Sequence, residues 1–148
     1  MHNKNRLGSY QHVVHHCSRL LLSIAFSFQL YGVVQAAPLL RCEVIYAGVT
    51  YTVVATPGSD PYSIEAVDIG ERFRFKAVMV SVDKPIDYIK LYAYFQTRRK
   101  DIPIHQATYL PPFTVSDKPY PLTPQNYLYA GDVERELQYH CTLQGVAP

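Results

Sequence analysis

Arg72–Val82 (RFRFKAVMVSV) is the clearest strand that the sequence predicts, because its side chains alternate in character with a period of two. One face of this stretch carries the apolar residues Phe73, Phe75, Ala77 and Met79. The other face begins with basic residues and becomes apolar after Ala77. Such alternation is typical of a β-strand with one buried face, and the apolar end predicts a segment that is covered on both faces.

The next stretch, Ile86–Thr97 (IDYIKLYAYFQT), repeats this alternation. Its predicted buried face consists of Ile89, Leu91, Ala93 and Phe95. Its opposite face carries Tyr88, Lys90, Tyr92 and Tyr94. This row of tyrosines is the most suggestive surface feature of the sequence, since tyrosine is enriched at protein interfaces. The alternative is that the row packs inside, under a loop.

Strand-like alternation recurs along the rest of the chain, between turn-forming residues. Longer strands are predicted at Leu39–Tyr46, Val49–Ala55, Ile102–Leu110 and Glu134–Leu143, and shorter ones at Ser63–Val67 and Gln125–Tyr129. Ala47-Gly48 predicts a hairpin turn between the first two. About seven or eight short strands separated by turns are typical of an all-β, antiparallel two-sheet β-sandwich. A small β-barrel is the alternative.

The residue composition supports the same fold class. The chain contains 13 Tyr, 11 Pro and no Trp. Tyrosine favours strands, whereas prolines at this density would interrupt helices repeatedly. Five of the prolines fall within Pro111–Pro124, which predicts an extended segment that crosses the surface.

Residues 1–36 have the anatomy of a secretory signal peptide. Basic residues precede an apolar run, Leu20–Val34, and small residues at its end predict cleavage after Ala36. The run is shorter than the roughly twenty apolar residues that a membrane span requires, so cleavage is favoured over a retained anchor. We therefore expect residues 37–148 to form a single periplasmic or extracellular β domain, without stable membrane insertion after cleavage.

Cleavage would leave two cysteines, Cys42 and Cys141, in the first and last predicted strands. We expect them to form a disulfide in an oxidising compartment. Tyr139-His140-Cys141 resembles the immunoglobulin fold, in which a tyrosine lies two residues before the second cysteine. The resemblance covers three residues and lacks the usual Trp, so it implies at most the sandwich architecture.

Charge and motifs argue against several function classes. Residues 37–148 include eleven basic and twelve acidic residues, so their formal charge is −1. A nucleic-acid-binding domain usually carries a strongly basic surface, which this composition does not provide. The sequence contains neither a Gly-x-Ser-x-Gly elbow nor a glycine-rich phosphate loop. We therefore expect no catalysis, no cofactor and no metal ion.

The sequence predicts a binding or assembly module for a protein or cell-envelope partner. The predicted contact surface is Tyr88, Tyr92 and Tyr94, with His105 and Tyr109 of the segment Ile102–Pro112 at its rim. Addition of a partner strand to an open sheet edge is the other predicted mode of contact.

Two alternative functions make different demands on the fold. A small secreted hydrolase or metal-binding protein would require His105 and His140 to lie close together with a carboxylate. A secreted inhibitor or immunity-type protein would require one rigid protruding loop, for which Pro103–Pro121 is the candidate segment.

Overall fold

The computed structural model describes residues 37–146. This part of the chain contains ten β-strands. They are β1 (Leu39–Tyr46), β2 (Val49–Ala55), β3 (Pro57–Gly58), β4 (Val67–Ile69), β5 (Phe73–Val80), β6 (Tyr88–Gln96), β7 (Asp101–Tyr109), β8 (Tyr120–Pro121), β9 (Asn126–Ala130) and β10 (Arg135–Gln144). The predicted signal peptide, residues 1–36, lies outside the described residues. Within residues 37–146 we find no candidate membrane-spanning helix.

The strands form two sheets that share one hydrophobic core. In sheet A the strand order is β2-β1-β10, and both β8 and β9 pair with β10. In sheet B the order is β5-β6-β7, and both β3 and β4 pair with β5. Within residues 37–146 every strand pairing is antiparallel except the short parallel pairing of β3 with β5. The predicted two-sheet sandwich is confirmed, and the sheets do not close into a barrel.

The core lies between the inner faces of the two sheets. Sheet A contributes Leu40, Cys42, Val44, Val53, Leu137, Tyr139, Cys141 and Leu143. Sheet B contributes Ile69, Phe73, Phe75, Ala77, Met79, Ile89, Leu91 and Ala93. The alternating positions predicted to be buried in β5 and β6 are therefore buried, and burial of these apolar side chains is the main force that holds the sheets together. The last four residues of β5, Ala77–Val80, are buried on both faces, as the apolar run predicts.

A disulfide joins Cys42 to Cys141, at directly opposed positions of β1 and β10. The two Cα atoms are 4.0 Å apart. The predicted link between the first and last strands is thus confirmed. Because β1 and β10 are neighbours in sheet A, the bond lies within one sheet, whereas the immunoglobulin disulfide joins two sheets.

The short strand predicted at Ser63–Val67 forms further along the chain, at β4. A side-chain-supported turn occupies the earlier residues: Tyr62 N donates to Asp60 Oδ1 at 2.8 Å, and Ser63 Oγ donates to Asp60 O at 2.9 Å. Such local hydrogen bonds compete with strand pairing. Gly70 and Glu71 then adopt positive φ and turn the chain from β4 into β5.

The proline-rich segment is attached to the C-terminal strand at several points. Ser116 forms an isolated bridge with Val146, and β8 pairs with the end of β10. Leu122 N donates to Cys141 O at 2.9 Å, and Cys141 N donates to Thr123 Oγ1 at the same distance. These contacts hold the segment beside β10, so it does not protrude as one free loop at these residues.

Candidate functional site

Strand β6 places the three predicted tyrosines on the outer face of sheet B. Successive side chains of a strand point to opposite faces, and Ile89, Leu91 and Ala93 are fully buried against sheet A. Tyr88, Tyr92 and Tyr94 therefore point away from the core, and each is half-buried. The row is neither inside the sandwich nor fully covered by the proline-rich segment.

The outer face forms a groove of about 270 Å³ around these rings. It is lined by Pro61, Tyr62, Lys76, Val78, Tyr88, Lys90, Tyr92 and Tyr94. The rings of Tyr92 and Tyr94 are nearly parallel, with centroids 6.3 Å apart. Tyr62 stands at the rim with 91% of its surface exposed. This groove, which we call the tyrosine groove, presents a series of aromatic surfaces to solvent.

Two lysines give the tyrosine groove a positive charge. Lys76 of β5 lies beside Tyr92 in the strand register, and Lys90 Nζ lies 5.2 Å from the centroid of the Tyr88 ring. Neither lysine forms a salt bridge with another described residue. Near Tyr94, by contrast, Arg74 is paired with Asp101 at 3.5 Å.

The tyrosine groove has uncharged hydrogen-bonding groups as well as lysines. Burial raises the pKa of Tyr94, and the nearby Tyr92 and Asp101 raise it further. The Tyr94 hydroxyl is therefore neutral at physiological pH and can both donate and accept a hydrogen bond. Aromatic faces, neutral hydroxyls and unpaired ammonium groups together suit a polar, acidic partner surface.

His105 and Tyr109 lie on the opposite face of sheet B from the tyrosine groove. They pair with Ala93 and Ile89, whose side chains point into the core. A bulge between Ala93 and Tyr94 shifts the register of β7, so the alternate residues His105, Ala107 and Tyr109 point inward. The five predicted contact residues are thus divided: three lie in the tyrosine groove and two lie between the sheets.

His105 forms a hydrogen bond to Tyr139 across the sandwich, with 2.7 Å between Nε2 and Oη. Burial lowers the pKa of His105 and raises the pKa of Tyr139. Burial also raises the pKa of Tyr109. The pair therefore joins a neutral imidazole to a neutral phenol at physiological pH, an arrangement that satisfies two polar groups at the edge of the core.

The two histidines do not form one site. His140 belongs to sheet A, where its Nε2 lies 3.5 Å from a carboxylate oxygen of Glu43. His105 belongs to sheet B and is bonded to Tyr139. Within residues 37–146, no three His, Cys, Asp or Glu side chains are grouped so that they could hold a metal ion.

A second cleft lies beside β7 and β9. It has a volume of about 650 Å³ and is lined by Phe95, Thr97, Ile102, Ile104, Tyr129, Ala130, Gly131, Asp132, Val133 and Arg135. Asp132 and Arg135 carry opposite charges and both line this cleft. The cleft therefore has no net charge that would favour an acidic or a basic ligand.

Sequence reasoning identified the tyrosine row but not the residues that complete the groove. Tyr62 follows a turn, and no local pattern shows that the loop folds over β5 and β6. Lys76 was predicted on the outer face of β5, but its position beside Tyr92 depends on the strand register.

Comparisons with protein-family models, curated proteins and solved structures gave no match for this chain.

Proposed function

We propose that this protein is an exported binding module, without catalytic activity, that contacts a protein or cell-envelope partner through the tyrosine groove. The observation that carries the proposal is the half-buried row of Tyr88, Tyr92 and Tyr94 beside two unpaired lysines. Tyrosine contributes a large rigid surface at little cost in side-chain entropy and is frequent among the residues that dominate binding energy.

The positive charge of the tyrosine groove favours an acidic partner surface. Lys76 and Lys90 have no carboxylate partner among the described residues, so an acidic surface that docks there gains new ion pairs. Complementary charge of this kind mainly fixes orientation and speeds association. We therefore expect the partner surface to carry carboxylates or another anionic group.

The disulfide supports the proposed location. Disulfides such as the Cys42–Cys141 bond persist in oxidising compartments. The proposed signal peptide would deliver the chain to such a compartment, either the periplasm or the cell exterior.

A capture experiment tests the proposal. The oxidised chain is immobilised, exposed to an envelope extract of the source cell, and the retained proteins and glycans are identified by mass spectrometry. Two double variants are run beside it: Tyr92→Ser with Tyr94→Ser in the groove, and Tyr127→Ser with Tyr129→Ser on β9 of sheet A, where both tyrosines are exposed.

A specific partner should be lost with the groove variant and retained with the β9 variant. Retention of the same partner by both variants, with both folded, would contradict the assignment of the tyrosine groove. Failure of the wild-type chain to retain any component would contradict the proposed function itself.

A further inference from the structure

Strand β2 leaves one side of sheet A open. It pairs with β1 along its whole length, and no other strand in residues 37–146 pairs with its second side. Such an edge presents a row of backbone N–H and C=O groups that can bind another strand.

The hydrogen bonds of Cys141 show which backbone groups of β2 face the open side. Cys141 N and O bond to Thr123 and Leu122, so Cys42 and Cys141 form a pair that exchanges no backbone hydrogen bonds. In an antiparallel ladder such pairs alternate with bonded pairs, so the backbone of Cys42 faces β2 and bonds to Val53. The N–H and C=O groups of the alternate residues, Thr52 among them, therefore face the open side.

The sequence of β2 contains none of the features that prevent edge pairing. Natural edges are blocked by charged side chains, proline, glycine or a bulge. β2 reads VTYTVVA, and its seven residue pairs with β1 follow one another without a bulge. Val49 and Val54 add apolar surface that is about half exposed, at 52% and 50%.

The corresponding edge of sheet B is blocked. β7 is its free edge, and it carries Asp101 and Pro103 at its start and pairs with β6 through a bulge. Asp101 is also fixed by its ion pair with Arg74. Among the other free edge strands, β4 and β9 have three and five residues. Of the two longer free edges, β2 and β7, only β2 is suited to accept another strand.

We propose that β2 pairs in antiparallel fashion with β2 of a second copy of this chain, forming a two-fold symmetric dimer with one continuous sheet. The segment Val49–Val53 reads the same in both directions, VTYTV. A two-fold axis at Tyr51 places Val49 opposite Val53 and Thr50 opposite Thr52 of the second copy. Pairs of β-branched residues and of threonines stabilise antiparallel ladders.

Charge also favours a second copy at this edge. β2 has no charged residue, so two copies meet without like-charge repulsion. The nearest charges of sheet A, Arg41 and Glu43, lie on β1, one strand away from the junction. The two-fold interface uses β2 of both copies, so neither copy has a second β2 edge to offer and the assembly closes at two copies. The tyrosine groove lies on the other sheet and stays accessible in each copy.

The mass of the oxidised full chain, measured by sedimentation over a wide concentration range, tests this proposal. Wild type should change from the mass of one chain to that of two as concentration rises. Thr52→Lys should raise the dissociation constant by about tenfold or more, because a charge then stands on the edge. Thr52→Pro should have the same effect, because it removes a backbone N–H that faces the open side of β2. This N–H has no hydrogen-bond partner among the described residues, so its loss breaks no bond within the sheet.

Gln106→Lys is the matched control, because it adds the same charge to the exposed edge strand β7. It should leave the dimer unchanged. Thermal unfolding of each variant shows whether the fold is intact. If Thr52→Pro does not fold, the proposal is tested with Thr52→Lys alone. A wild-type chain that stays at the mass of one chain, or a dimer that Thr52→Lys leaves as stable as wild type, would overturn the proposal.

Discussion

Tyr139 Oη lies 2.7 Å from His105 Nε2, and this hydrogen bond connects the two sheets of the sandwich. Tyr139 is fully buried and packs against Phe75, with ring centroids 5.0 Å apart. His105 comes from β7, the free edge strand of sheet B. The pair therefore fixes an edge strand to the centre of the opposite sheet.

Removal of the Tyr139 hydroxyl should weaken this connection. We expect Tyr139→Phe to lower the free energy of unfolding by about 1 kcal/mol, because His105 Nε2 loses its partner while the aromatic packing is kept. Urea unfolding measures the change. Tyr127→Phe is the control, since Tyr127 is exposed and its hydroxyl bonds to no described residue. Equal stabilities of the two variants would show that the sheets do not depend on the bond.

The same pair predicts a pH dependence of stability. Burial lowers the pKa of His105 below its ordinary value of 6.5, so the folded protein binds the proton less tightly than the unfolded chain. Unfolding then takes up a proton as pH falls from 6.5 towards the lowered pKa, and the free energy of unfolding decreases over that range. Above pH 6.5 this contribution is fully present.

His105→Gln should remove this part of the pH dependence, as measured by urea unfolding at a series of pH values. His140→Gln should retain it, because His140 lies on the other sheet beside Glu43. A wild-type stability that stays constant between neutrality and the onset of carboxylate titration would contradict the buried position of His105.

The disulfide should contribute strongly to stability. It closes a chain segment with a sequence separation of 99 residues. The chain-entropy model gives about 4.7 kcal/mol for a loop of this length. We expect reduction to lower the free energy of unfolding by about 3–5 kcal/mol, and the double variant Cys42→Ala with Cys141→Ala to unfold like the reduced protein. A reducing agent that leaves the urea midpoint unchanged would show that the bond is absent in solution.

Two glycines with positive φ give a matched test of packing. A Cβ atom on Gly70 would lie 2.7 Å from Tyr46 Cδ1, whereas one on Gly48 would meet no atom within 4 Å. Gly48→Ala should therefore cost about 1 kcal/mol for the left-handed backbone alone. Gly70→Ala should cost about 1–3 kcal/mol more, because the Tyr46 ring must move. Equal losses in thermal or urea unfolding would mean that the ring is free to shift.

The parts of the fold that depend on neighbouring residues were predictable from the sequence. The limits of β1 and β2 agree with the prediction, because alternation and the positive-φ turn at Ala47-Gly48 are local features. The pairing of the two cysteines followed from their number and from the oxidising compartment that the sequence predicts. The two-residue strands β3 and β8 were not predicted, since they exist only through pairing with β5 and β10.

The composition of the candidate site was only partly predictable. The faces of β6 follow from alternation, so Tyr92 and Tyr94 were placed on one face. The orientation of His105 depends on the bulge in the β6–β7 register, which no pattern within β7 indicates. Tyr62 joins the groove through a loop that folds over the sheet, and such contacts between distant segments are set by tertiary packing.

The affinity of the captured partner for the purified chain tests the proposed binding function most directly. We predict that Tyr92→Ser with Tyr94→Ser weakens binding by about a hundredfold or more, since loss of two central aromatic contacts costs several kcal/mol. The Tyr127→Ser and Tyr129→Ser control should bind like wild type. Both variants should be folded at the temperature of the assay and unfold in one cooperative transition, the groove variant at a lower midpoint because it loses half-buried apolar surface. Equal affinities of the groove variant and the wild type would contradict the assignment of the tyrosine groove as the binding surface.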